Sequence, residues 1–443
     1  MMKISSIGEI TNRILELENK NNLLNWTIND VKIYQLVRHK IYFEAINQNI
    51  KSDSSSFTSK FKLSKVRKII TRTNNFLFYN PISDKSKSEV LIFESSRKKK
   101  IDGEYVDPFT FLIKEKIKKE KINYTIYQSS YFFDRIADKE KGTKHLDYFY
   151  ISADIKSLFS KVNFNSENLK EIESFNNKVQ NALNVKIDFV KLFSKEISAF
   201  NNLSFFFGKL FDNKNPKRLF LVNFCDKAPL ISEAKKRDIE VIDIQHGFIS
   251  DKDIIYHFPN TEENKLDYFP DRFVSWGELW NGNCKLPISQ DKIDIVKNYS
   301  LQKNLEAYSL EKKANKILIL SQDTITELIL KNVKDLIENN PEFHFYFKPH
   351  PNEYSFIKNI KLFQVLLKYS NFNLIDGNDD LNKHLADASI VMGVYTTVLI
   401  EALYFKCLVF VLNLPGAEMM DFLKDNPNVQ FYNNLSKIKL TVN

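Results

Sequence analysis

Residues 345–353 read Phe-Tyr-Phe-Lys-Pro-His-Pro-Asn-Glu, the sharpest chemical signal in the chain. An apolar strand is expected to end on Lys348. Pro349 and Pro351 then hold His350 in place, because each proline fixes its own φ and restricts the residue before it. An imidazole and an ammonium at the carboxyl end of a strand suit a phosphate. Further on, 388–403 reads Ala-Ser-Ile-Val-Met-Gly-Val-Tyr-Thr-Thr-Val-Leu-Ile-Glu-Ala-Leu. A strand runs into Gly393, and Thr396 and Thr397 open an amphipathic helix. Its first turn offers unpaired amides and partial positive charge, and the two hydroxyls add donors. Glu401, one turn along, is placed to reach ribose hydroxyls. In 320–324, Leu-Ser-Gln-Asp-Thr, Ser321 and Gln322 are further phosphate contacts, while Asp323 or Thr324 is expected to cap the following helix.

A second constellation lies upstream. Residues 241–249, Val-Ile-Asp-Ile-Gln-His-Gly-Phe-Ile, end a strand on Gln245, His246 and Gly247. The glycine is expected to let the backbone turn sharply and present the imidazole. A histidine titrating near neutrality is a plausible general base for a hydroxyl nucleophile. Residues 94–109 carry three carboxylates expected to face a cleft, Glu94, Asp102 and Asp107, beside a basic run starting at Arg97. Trp276, in 269–278, is a candidate sugar-stacking platform, with core packing the safer reading.

These groups need elements to position them. Residues 1–60 read as a helical extension and linker, with the polar stretch 51–60 at its end. Short apolar runs then alternate with helical stretches, the mark of parallel sheets covered on both faces. Strands are expected at 90–93, 124–127, 219–224, 241–245 and 273–276, the last closing a first lobe at 61–285. Helices are expected at 109–118, 183–206 and 228–236. After a connection at 286–312 the alternation restarts, giving a second lobe at 313–443. Its strands fall at 317–320, 343–347, 372–375, 388–391 and 408–412, with helices at 324–338, 354–369 and 397–404. Two doubly wound sheets, each able to bind at its strand carboxyl ends, predict a cleft between lobes.

Composition excludes several classes. Among 443 residues there are only 10 glycines, and neither a P-loop nor a dinucleotide fingerprint is present. The formal charge of +9 favours anionic substrates or membrane surfaces, whereas no nucleic-acid module emerges. Cys225, Cys284 and Cys407 are widely spaced and read as reduced and buried, with no metal site. The amino terminus lacks an apolar signal region and no stretch reaches membrane-spanning length. A cytoplasmic protein, peripheral at most to the membrane face, is expected.

The two downstream motifs resemble those of bacterial GT-B glycosyltransferases of capsule and lipopolysaccharide synthesis, in the sialyl-, polysialyl- and Kdo-transferase groups. There an His-Pro motif and a Ser/Thr pair hold the phosphate of a CMP-sugar. His350-Pro351 matches the first, and Thr396-Thr397 the second, with Thr in place of the commoner Ser. Polyol-phosphate transferases of teichoic-acid assembly are similar in the same region, which spans roughly residues 316–415. The resemblance implies a GT-B fold of two Rossmann-like lobes and metal-independent transfer from a nucleotide-sugar donor, without a further cofactor. The implied acceptor is a capsule or O-antigen polysaccharide, free or lipid-linked. It also implies a first-lobe acid as catalytic base, so Asp102 rivals His246, with Glu94, Arg97, Asp107, Gln245, Gly247 and Trp276 on the acceptor side. Donor contacts would be Lys348, His350, Pro351, Ser321, Gln322, Thr396, Thr397 and Glu401. A nucleotide-sugar 2-epimerase, a polyol-phosphate transferase and a non-catalytic assembly scaffold are the alternatives.

Overall fold

The computed structural model describes residues 4–50, 65–101, 103–129, 131–132, 135–136, 140, 142–435, 438 and 440. The expected linker at 51–60 and Asp102 lie outside the described residues.

The first sheet contains β1 (Val90–Glu94), β2 (Tyr124–Gln128), β3 (Lys144–His145), β4 (Arg218–Val222), β5 (Glu240–Ile244), β6 (Arg272–Ser275) and β7 (Ile293–Ile295). Its spatial order is β7-β6-β5-β4-β1-β2-β3, with every pairing parallel. The second contains β8 (Lys313–Leu320), β9 (His344–Lys348), β10 (Phe372–Leu374), β11 (Ala388–Gly393), β12 (Leu408–Leu412) and β13 (Val429–Tyr432). These run β10-β9-β8-β11-β12-β13, again all parallel. Each sheet therefore reverses direction beside its first strand, β1 or β8, and leaves a binding crevice at the carboxyl ends there. The central strands are almost continuously apolar because helices cover both faces; Ile317, Leu318 and Ile319 of β8 are fully buried. Two doubly wound lobes in one chain meet the GT-B expectation at the level of architecture.

Several boundaries are corrected. The expected helix 183–206 starts later, as Phe189–Lys214, because its first residue closes a separate helix, Ser166–Leu183. Asn184 ends that separate helix in a left-handed conformation, and the Asp188 side chain caps the next. Strand 273–276 is not the last of its lobe, since β7 pairs beyond it, so the expected connection 286–312 contributes a strand to the first sheet. The expected helix 354–369 shrinks to Lys361–Leu366, because 351–356 is wound into turns around the inward-pointing Glu353.

The amino-terminal helices Ile7–Asn21 and Ile33–Asn49 pack with Ser166–Leu183 and Phe189–Lys214 in a separate apolar cluster. A buried ion pair, Arg38–Glu18, anchors them, with Arg38 also donating to the His257 carbonyl at 2.9 Å. Among the described residues no helix is long and apolar enough to cross a membrane.

Candidate functional site

In the second lobe β9 and β11 flank β8, so His350, Ser321 and Thr396 follow neighbouring strands at one edge of the sheet. His350 is half-buried. Its Nδ1 accepts a hydrogen bond from the Asn352 amide at 3.3 Å and lies 3.7 Å from Asp323 Oδ2. Burial pushes its pKa down, Asp323 opposes that, and the Arg97 charge of the first lobe adds to it. The imidazole is thus neutral near pH 7, and with Nδ1 accepting, Nε2 carries the proton and is a donor.

What fixes this loop is Glu353, which the sequence reading passed over. Its side chain is fully buried; Oε1 accepts from Ser321 Oγ at 2.7 Å and from Thr326 Oγ1, and Oε2 accepts the His350 amide. Asp323, held at 3.0 Å by Asn352 Nδ2, is drawn toward the histidine loop. The helix Thr326–Asn339 accordingly starts later than expected, with Ile325 at the N-cap position and no side-chain cap. Lys348 points elsewhere. Its ammonium donates to the Tyr354 hydroxyl at 2.7 Å and the Asp376 carbonyl at 3.4 Å, and burial lowers its pKa. Pro351 is exposed and Gln322 half-buried beside the same turn.

Thr396 is the N-cap of the helix Thr397–Tyr404, its Oγ1 accepting from the Val398 amide at 3.4 Å. The hydroxyl hydrogen remains available to an anion at the helix end. Thr397 faces the other lobe: a methyl placed on Gly247 would lie 3.4 Å from its Oγ1. The chain bends at Gly247, as expected, but without a left-handed conformation, and a methyl there would meet Thr397 at ordinary contact distance. Glu401 is half-buried, and burial raises its pKa to about 7 against the pull of Lys99 from the first lobe.

From the first lobe His246 follows β5. Burial lowers its pKa to about 4, with the charges of Arg97 and Lys227 adding to the effect. Solvent touches the ring, yet its surroundings strip most of its hydration. Arg97 therefore acts electrostatically on both imidazoles, one from each lobe. The turn carrying Arg97 is pinned on both sides: Asp107 Oδ2 accepts the Ser95 amide at 2.6 Å, and buried Lys98 pairs with Glu94.

Three acceptor-side expectations fail. Glu94 is buried against Lys98, Lys114 and Thr110, and Asp107 is fully buried with its oxygens on the Ser95 and Phe109 amides. Burial, then Glu94, raise Asp107 to about 6. Both shape the loop rather than face the cleft. Gln245 is also fully buried, its amide bonding the Trp280 carbonyl at 2.9 Å and the Trp276 amide at 2.7 Å. Trp276 is core, stacked on Phe109 and edge-on to Trp280, whose Nε1 donates to Tyr404 of the second lobe at 3.1 Å.

Two cavities, of about 220 and 200 Å3, are lined by neither histidine nor either threonine. One includes Asn29, Ser198 and Asn202; the other is bounded by Lys114, Lys118 and Glu140. His39, Cys225 and Asp226 have ligand atoms within 4.8 Å of one another. His39 and Asp226 lie 3.2 Å apart, while burial and nearby Asp226 push the Cys225 thiol up, which leaves a protonated thiol beside that contact.

No family model matches the chain. One curated relative, the RNA polymerase subunit beta'' of Bigelowiella natans, is 23% identical over 93% of this chain. The chain spans 30% of that protein's length. Among solved structures, UDP-GlcNAc 2-epimerase from Methanocaldococcus jannaschii is 13% identical, covering 78% of this chain and 89% of its own, with a TM-score of 0.45. MurG from Acinetobacter baumannii is 9% identical over 79% of this chain and 87% of its own, TM-score 0.43. The wall teichoic acid polymerase TagF is 13% identical over 84% of each chain, TM-score 0.40. At these values the likeness decides nothing by itself, and the two-lobed class rests on the strand orders above.

Proposed function

We propose that the chain is a glycosyltransferase of GT-B architecture that uses a nucleotide-activated sugar, with a polysaccharide of the capsule or O-antigen kind as acceptor. One observation carries this reading: Gly247, next to His246, closely approaches Thr397, while Arg97 influences the imidazoles of both lobes. The donor phosphate would sit on His350 Nε2, the Thr396 hydroxyl and the amides opening Thr397–Tyr404. Charge developing on the leaving phosphate is then met by fixed donors, without a metal. Arg97 supplies a permanent positive charge felt by both imidazoles. His246, neutral near pH 7, takes the acceptor proton; a bound phosphate dianion would raise its low basicity. Glu401 accepts from ribose hydroxyls. Lys348 is left out of the phosphate set, since its ammonium already has partners.

The test is a thermal-shift screen against CMP, CDP, UDP and GDP and their sugars, followed by product analysis with EDTA present, with and without acceptor. The expected result is stabilisation by one nucleotide and transfer only with acceptor. Conversion of donor alone identifies an epimerase, and silence across the panel removes the reading.

A further inference from the structure

The helix Ile7–Asn21 belongs to the first-lobe appendage, yet its amino end is closed by a residue of the second lobe. Ser6 caps the Glu9 amide at 3.1 Å. The Ile7 and Gly8 amides instead donate to Glu418 Oε1, at 2.5 and 3.2 Å, more than four hundred residues away along the chain. The other oxygen, Oε2, accepts the Gly416 amide at 3.1 Å. One carboxylate thus joins a helix end, where negative charge is favoured, to the turn that follows β12. Apolar contact reinforces the joint, for Met419 is buried in the cluster of the amino-terminal helices.

That turn also reaches the candidate site. Gly416, at φ 99°, lies against the Tyr395 ring so closely that a methyl there would overlap it. Tyr395 immediately precedes Thr396 and Thr397, and its hydroxyl bonds Thr324 beside the histidine loop. Phe422, in the same segment, packs near Phe248, two residues beyond His246.

We propose that Glu418 is a positioning residue: it latches the amino-terminal helix to the second lobe and, through Gly416 and Tyr395, sets the start of the Thr397–Tyr404 helix. The inference rests on the phosphate-holding reading of that helix for its functional consequence, but not for its structural one. Amide hydrogen exchange reads the structural part. Glu418→Ala is expected to speed exchange roughly tenfold or more at Ile7 and Gly8 and also at 395–398. Glu418→Gln keeps a single acceptor oxygen, so it should restore protection at Ile7 and Gly8 while its NH2 group, unable to accept from the Gly416 amide, leaves 395–398 less protected than in the wild type. Gly416→Ala should disturb 395–398 while Ile7 and Gly8 stay protected, and it keeps the idea testable if Glu418→Ala does not fold. Faster exchange confined to Ile7 and Gly8 in Glu418→Ala overturns the coupling. Should a nucleotide bind the wild-type chain, Glu418→Ala should weaken it about tenfold. Unchanged affinity despite spreading exchange would sink the phosphate role of the helix and leave the latch standing.

Discussion

His350 is held by its backbone and faces solvent on one side, so its ring carries little of the fold. His350→Ala is expected to lower turnover by about a hundredfold or more through loss of a phosphate donor. Its unfolding free energy should change by no more than ordinary surface substitutions do, about 0.5 kcal/mol. Steady-state kinetics and calorimetry on the same preparation check both halves. Glu401 offers a pH test. Its carboxyl is raised from 4.5 to about 7 by burial, so the folded chain holds that proton where the unfolded chain has lost it. The unfolded state binds fewer protons across this window, and stability therefore falls as pH rises from 4.5 toward 7. Glu401→Gln should flatten that part of the stability–pH curve and gain up to about 3 kcal/mol above neutrality. At this scale the sequence was legible where the backbone dictates geometry. Prolines around a histidine and a hydroxyl before a helix leave few choices. It was illegible for Glu94, Asp107 and Gln245, because a carboxylate or amide near a strand end looks the same whether it faces a cleft or closes a buried network. Only long-range partners such as Lys114 or Trp280 decide that.

Elements were legible through their alternation, and both sheets follow from it. Their ends were less so. Glu353 converts the start of an expected helix into turns by accepting from three groups brought from two segments, a competition no local pattern reveals. The signal available in the sequence was an acid three residues after His350 in a segment otherwise fixed by proline. Glu353→Leu should leave those donors without their acceptor and cost about 2–3 kcal/mol in denaturant unfolding. Turnover should drop alongside, because the histidine loop loses its anchor. An unchanged pH–rate profile and full activity in this variant would show that the turn is held by the prolines alone.

Across the whole molecule, the lobes are joined by aromatic packing as well as by the chain. Trp280, almost wholly buried, stacks near Tyr404 while its backbone carbonyl holds Gln245 beside His246. Trp280→Ala is expected to cost about 3–5 kcal/mol by opening a large cavity. Loss of near-ultraviolet dichroism and a lower denaturant midpoint would register it. The repeated strand order was foreseeable as two doubly wound units, whereas the amino-terminal helices bridging both lobes were not, since nothing in an amphipathic helix says which distant carboxylate will meet its end.

One consequence follows from the narrow approach of Gly247 to Thr397. A methyl there would meet the Thr397 hydroxyl at ordinary contact distance, so the two lobes already touch at this point. A side chain longer than a methyl at position 247 would have to press the two lobes apart.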